Sequence, residues 1–258
     1  MTTATLGGLL RDWRHRRHLS QLDLALDAGV SARHLSFLET GRSKPSREMV
    51  LHLSEQLDVP LRDRNALLLA AGFAPAYEER PIDSPEMAPA RDALDKILTG
   101  HEPYPAVVVD RWWNLVAGNR AVGLFTDLVA PHLMEPPVNV LRASLHPEGF
   151  APRIVNLGEW RAHLLDRVSR QVALTGDERL AALHDEIAGY PGGDGHHEMT
   201  GTEIAVPLRF RDDQGELRFF GTIATFGTAV DITLSEIAIE AFFPADAETG
   251  RILRRRAG

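Results

Sequence analysis

The chain has 258 residues, no cysteine, 25% charged residues and a formal net charge of −8. This length fits one or two domains, with two expected, and the lack of cysteine excludes disulfides, thiolate metal sites and cysteine catalysis. No run of about 18 apolar residues exists, so no membrane span is expected, and the first residues lack the basic-then-apolar pattern of a signal peptide. Together these features give the expectation of a cytoplasmic protein. The charge is uneven. Residues 1–75 carry 10 Lys+Arg against 8 Asp+Glu, a net of +2, which leaves −10 for the rest. A mildly basic head on an acidic body fits DNA contact confined to the head, and a net of +2 predicts a dimer that doubles the phosphate contacts.

The first predicted helix spans residues 5–18, with Leu6, Leu9, Leu10 and Trp13 as its apolar stripe. The stretch 19–46 then reads as two short helices around a tight turn. Ser20 is an N-cap candidate, with Leu22, Ala25 and Leu26 following at helical spacing. Gly29 ends that helix, Val30 plugs the core, and Ser31 caps a second helix carrying Leu35 and Leu38. Gly41 and Pro45 stop it. Such a pair is the unit that lays its second helix in a DNA major groove. The Gln21 amide can reach a phosphate, and Arg42 and Lys44, just past the second helix, read as phosphate contacts. Further helices are predicted over 46–58 and 60–71, completing an all-α head of residues 1–73.

This stretch closely resembles the helix-turn-helix of the Cro/phage-repressor class, also called the XRE class, over about residues 5–72. The resemblance is carried by Gln21, Gly29, Glu39, Gly41, Arg42 and Pro45 in register. It implies an ion pair between Arg14 and Glu39, and base-edge contacts from Ala32, Arg33, Ser36 and Phe37. Arg33 suits guanine O6 and N7, and Ala32 or Phe37 suits a thymine methyl. Phe37 has a second reading as a core aromatic. The implied partner is a double-stranded, palindromic operator.

Residues 74–89 hold four prolines among acids and read as a semi-rigid linker. The second domain is placed at 90–258, its first helix starting at Ser84-Pro85-Glu86. Residues 104–110 and 113–117 are predicted strands joined by a turn at Arg111-Trp112, and Asn119 reads as the cap of a helix containing Phe125. Helices are expected over 138–145, 158–174 and 177–188, then a hairpin of strands at 203–211 and 216–227. The stretch 233–243 is ambiguous: Thr233-Leu-Ser-Glu236 is a capping box, whereas Ile237 and Ile239 alternate as in a strand.

The strand–turn–strand–helix opening resembles a PAS-type sensor, giving an expected α+β, PAS-like fold with an antiparallel sheet. Pro105-Ala-Val-Val-Val-Asp-Arg-Trp-Trp-Asn-Leu-Val-Ala-Gly-Asn-Arg-Ala121 and Phe226-Gly-Thr-Ala-Val-Asp-Ile-Thr-Leu-Ser-Glu236 resemble the ligand-binding domain of MmyB-like transcription regulators. That resemblance, over about 104–250, implies a pocket for a small hydrophobic effector, a fatty acid or acyl group first. The pocket candidates are Trp112, Trp113, Asn119, Phe125, Phe220 and Phe226. Each also has a plain structural reading, as core or, for Asn119, as a cap.

His196-His197-Glu198, with His184 upstream, lacks helical metal-ligand spacing, so no metal site is expected. Gly7-Gly8 and Gly192-Gly193 lack the strand–turn–helix setting of a phosphate loop, and no nucleophile elbow exists, so no catalytic residue and no cofactor is expected. The expectation is a cytoplasmic homodimeric transcription regulator that senses a small apolar molecule. The alternative is a DNA-binding regulator whose second domain only dimerises or binds a protein.

Overall fold

Four serine and threonine caps start the helices of the N-terminal region. In the computed structural model, which describes residues 5–192 and 206–257, α1 is Leu6–Arg16, α2 Gln21–Asp27, α3 Ala32–Glu39, α4 Arg47–Gln56 and α5 Leu61–Ala70. The hydroxyls of Thr5, Ser20, Ser31 and Ser46 accept from Gly8, Asp23, His34 and Met49 N–H. Asp23 answers with its carboxylate on Ser20 N–H, completing a capping box. Gly29 and Gly41 follow α2 and α3 at φ +64° and +71°, the left-handed conformation that glycine adopts without steric cost. The helices bury one core around Leu10, Leu24, Leu35, Leu38, Leu53 and Leu67.

One expected stripe is corrected. Leu22 and Leu26 are 59% and 71% exposed, while Leu24, Ala25 and Ala28 are buried. At 3.6 residues per turn, Leu22 and Leu26 lie about 160° round the helix from Leu24. A seven-residue helix has one buried face, and Leu24 and Ala28 define it.

The chain resolves into two units. One holds the residues up to Arg80, with Ala173–Thr175 and Thr228–Ser235; the other holds the remainder. Residues 74–89 are ordered: the Asn65 amide takes Ala76 N–H, Tyr77 N–H and Tyr77 C=O, and Arg91 donates to the Ile82 and Ser84 carbonyls.

The second unit contains α6 (Ala88–His101), β1 (Ala106–Val109), β2 (Leu115–Gly118), α7 (Gly123–Thr126), α8 (Val140–Leu145), α9 (Leu157–Thr175, up to Val172), α10 (Glu178–Ala188), β3 (Leu208–Asp212) and β4 (Gly215–Thr225). A one-turn α11 (Ile232–Ser235) precedes β5 (Ala238–Pro244) and α12 (Ala247–Ala257). The five strands run in the order β2-β1-β5-β4-β3, every pair antiparallel. This is the expected class: a helical helix-turn-helix region, then an α+β domain with an antiparallel sheet. The ambiguous 233–243 segment is both readings in succession, a single turn of helix and then a strand. Asp231 Oδ1 accepts from Leu234 N–H, so the helix starts before Thr233 and the predicted capping box is not used.

The sheet has two differently covered faces. On one, α6 lays Leu94 and Leu98 against Ala106, Val108, Ile237 and Ile239. On the other, Phe210 and Phe219 meet Leu141, Leu164, Val168 and Ile187 from the helices.

In the first unit, Gly7 is buried where α1 crosses the end of α3. A Cβ there would lie 2.3 Å from the Glu39 carbonyl oxygen. Gly7→Ala should therefore separate α1 from α3 and destabilise the unit by about 1–3 kcal/mol or more. Thermal unfolding of the full chain measures it; an unchanged transition refutes the close-approach role.

Candidate DNA-reading surface and ligand cavity

The orientation of α3 rests on a buried carboxylate. Glu39 ends α3 with its side chain fully buried, and Arg14 of α1 meets it bidentately: Nε to Oε1 at 2.7 Å and Nη2 to Oε2 at 2.9 Å. Gln21 Nε2 donates to Oε2 at 2.8 Å. Arg11 adds its guanidinium at 3.7 Å. Burial pushes the Glu39 carboxyl up, but the bonds from Arg14 and Gln21, with the charges of Arg14 and Arg11, outweigh it and hold the carboxyl below its ordinary value of 4.5. Three helices thus meet on one side chain.

This leaves the outer face of α3 free. Arg33 is exposed, with Ala32, Ser36 and Phe37 half-buried beside it. The guanidiniums of Arg33 and Arg42 lie over the Phe37 ring, 5.3 and 5.9 Å from its centroid. Phe37 is thus a platform under two cations, outside the fully buried core. Arg42 and Lys44 are exposed just beyond. The Gln21 amide nitrogen carries two N–H groups; one is held by Glu39, and the other remains for an acceptor such as a phosphate.

The second unit holds a cavity of about 560 Å³ between the sheet and its helices. Its wall is mostly apolar, with Trp113, Phe125, Phe150, Leu164, Ile223 and Phe242 among the lining residues. Such size and lining suit a small organic ligand. Trp113 is the most constrained wall residue. It is buried at φ +67°, an uncommon conformation for a bulky side chain. Its N–H donates to Asp110 C=O, its C=O accepts from Val140 N–H, and its indole N–H donates to Gln171 Oε1 at 2.8 Å. Arg167 covers its ring at 4.3 Å.

The polar wall groups gather on α9 and the facing strand: His163, Arg167 and Arg170 on the helix, Glu240 on β5. Arg167 and Glu240 form a double hydrogen-bonded ion pair. Burial, then the charges of Arg167 and Arg170, pushes the His163 imidazole below its ordinary value of 6.5, so the neutral ring is favoured.

A family model for the MmyB-like transcription regulator ligand binding domain matches residues 90–255. The chain belongs to this family. A helix-turn-helix family model matches residues 10–63, so the MmyB-like domain follows a DNA-binding one. No curated protein matches the chain. This MmyB-like regulator is therefore a DNA-binding transcription regulator with a ligand-binding domain, and both matched families are regulatory, not enzymatic. None of its described helices is long and apolar enough to cross a membrane.

Of the six pocket candidates, Trp113 and Phe125 stand on the cavity wall. Trp112 turns away, its indole N–H on Asp177 Oδ2 and its ring under Arg111 and Arg179. Asn119 holds the N-cap position before the 3-10 turn Arg120–Val122, but its side chain makes no cap bond and does not reach the cavity. Its amide takes Ala106 N–H and gives to the Leu98 and Tyr104 carbonyls, which fixes the connection from α6 into β1. Phe220 lies on the opposite sheet face because strand alternation sends Phe219 and Gly221 inward. Phe226, past the end of β4, packs into the outer cluster under α6.

His163, Arg167, Arg170 and Glu240 are wall residues the sequence reading missed. The first three recur at i, i+4 and i+7 beside Trp160 and Leu164, so helical spacing alone puts them with the apolar face. Glu240 is a lone acid in a strand, next to Ile239. His196, His197 and Glu198 lie outside the described residues. Among the described residues His132, His146 and Glu148 bring ligand-type atoms within 4.8 Å of one another, but the His146 Nδ1 is occupied by Glu148 N–H.

Because the folded-state Glu39 value is lowered, its contribution to stability is complete above the ordinary carboxylate value and is lost as pH falls through the lowered one. Comparing thermal unfolding of the full chain with that of Glu39→Gln from about pH 5 to about pH 2 should show the gap between them closing as pH falls. A gap independent of pH removes Glu39 as the titrating group.

Proposed function

We propose that the protein is a homodimeric, sequence-specific regulator of a palindromic operator whose second domain binds a small hydrophobic effector, with a fatty acid or acyl group as the leading class. The observation that carries the effector half is the mostly apolar cavity of about 560 Å³. A module that only dimerised would gain stability by filling that space, because an unfilled apolar void loses the packing contacts of its lining. The elongated choice of ligand rests on the family resemblance and on a wall that is apolar with one polar cluster.

On DNA, Arg33 contacts base edges from the exposed face of α3, with Ala32, Ser36 and Phe37 beside it, and Gln21, Arg42 and Lys44 hold phosphates. The head carries only a small positive net charge, so two heads acting together supply the backbone contacts that one lacks. The effector acts by binding one arrangement of the dimer more tightly than another, since equal affinity for both shifts nothing. In the cell this assigns the protein to the cytoplasm.

Arg33→Ala should relax preference at one operator base pair and cost about 1–3 kcal/mol, whereas Lys44→Ala should weaken all sequences alike and lower the salt slope by about one. Competition binding to operator and mismatched duplexes across salt concentrations separates the two; uniform weakening by Arg33→Ala, or an unchanged slope for Lys44→Ala, removes that residue from its role. For the effector, mass spectrometry of the purified full chain under native and denaturing conditions should release an acyl-sized molecule. An identical mass in both, together with no uptake of added lauric acid, returns the second domain to a dimerisation or protein-binding role.

A further inference from the structure

Glu240 occupies an unusual place for a carboxylate. It sits mid-strand on β5, its register partners are Val107 on β1 and Ile223 on β4, and all three line the cavity. Arg167 reaches it from α9, with Nη1 2.9 Å from Oε2 and Nη2 on Oε1. Both side chains are largely buried, at 15% and 10% exposure. An arginine has five N–H donors. Two are held by Glu240, and the remaining three have no acceptor among the described residues, although Arg167 is part of the cavity wall. Trp113 fixes the guanidinium from below, and its own indole is tied to Gln171. The donors are therefore held in place before any ligand arrives.

The free Arg167 donors, not an excess of positive charge, mark the polar end of the cavity. Of the charged lining residues, Arg167 is paired with Glu240, and the exposed Arg170 is paired with Asp166 at 2.8 Å. His163, one turn before Arg167, is shifted toward its neutral form by burial and the neighbouring arginines, so it adds no charge of its own. The Arg167 donors that Glu240 leaves over are the polar groups a ligand can complete, by bringing an acceptor to them. The rest of the wall is apolar and takes a hydrocarbon chain.

We infer that Arg167 anchors the carboxylate of an acyl anion in the cavity and that Glu240 is a positioning residue that aims the guanidinium and tempers its charge. This rests on the cavity being the effector site. An aliphatic alcohol or ester of the same chain would fill the apolar part but leave the guanidinium donors without an anionic partner.

The test measures binding of lauric acid, methyl laurate and lauryl alcohol to the full chain by calorimetry at neutral pH. The wild type should prefer the acid. Glu240→Gln keeps the side-chain volume and removes the competing charge, so it should tighten lauric acid about tenfold while the ester and alcohol move little. The double variant Arg167→Gln with Glu240→Gln leaves no unpaired buried charge, and it should bind acid and ester alike. The inference is overturned if Glu240→Gln shifts all three probes equally, or if the double variant keeps the preference for the acid. If none of the three binds the wild type, the effector reading of the cavity falls as well.

Discussion

The buried carboxylate of Glu39 is the constraint on which the DNA-reading surface depends. It receives two N–H groups from Arg14 and one from Gln21, so α1, α2 and α3 converge on a single side chain. A buried ion pair of this kind adds little stability over an apolar pair of the same shape, because both charges must leave water. Its larger effect is on alternatives: any packing that separates α1 from α3 strands a charge in the core. Gly7 lets the two backbones approach closely enough for the bond to form, since α3's carbonyls occupy the space where a side chain would stand. The angle of α3, and with it the outward aim of Arg33, follows from this contact.

The second unit uses a related device for a different end. Arg167 and Glu240 span the space between α9 and the sheet, as Arg14 and Glu39 span two helices, but they border a cavity. The inner face of the sheet explains why space remains there. Toward β3 it is filled by Phe210, Leu217 and Phe219, which are fully buried. Toward β1 the inward positions include Gly221, Val107 and Glu240 beside Ile223 and Phe242: one has no side chain, one is small, and one is drawn to Arg167. The Trp113 backbone, held in the left-handed region by hydrogen bonds on both sides, keeps its large ring on the wall.

Much of this was legible in the sequence, for identifiable reasons. Helix caps, helix-ending glycines and the spacing of Leu35 and Leu38 are local signals, and they place α2 and α3 to within a residue or two. Arg14 and Glu39 could be paired because their spacing follows a known frame. Even within a legible helix, Leu22 and Leu26 were assigned to the wrong face, because in seven residues an apolar count does not fix which side is inward. The cavity wall was less legible. Phe220 and Phe226 were pocket candidates, but the pairing of β4 with β5 puts Phe220 on the sheet face away from the cavity, and Phe226 packs under α6. Asn119 resembled a cap because it precedes a helical segment, whereas its amide is taken by three backbone groups distant in sequence. Arg167 and Glu240 lie 73 residues apart, and no local pattern joins them.

A cavity with a fixed polar cluster has an energetic consequence for regulation. A cavity makes fewer packing contacts than a filled core, and its polar groups gain from a ligand that carries acceptors. A ligand that supplies both the chain and the acceptors stabilises whatever arrangement of the protein holds the wall in this geometry, by an amount set by its concentration relative to its dissociation constant. A DNA-binding domain of small net charge loses affinity with each phosphate contact it does not make. On the proposed function, a difference in ligand affinity between two arrangements of the protein is what shifts their populations. The sign of that change depends on which arrangement keeps Arg167, Trp113 and Glu240 together.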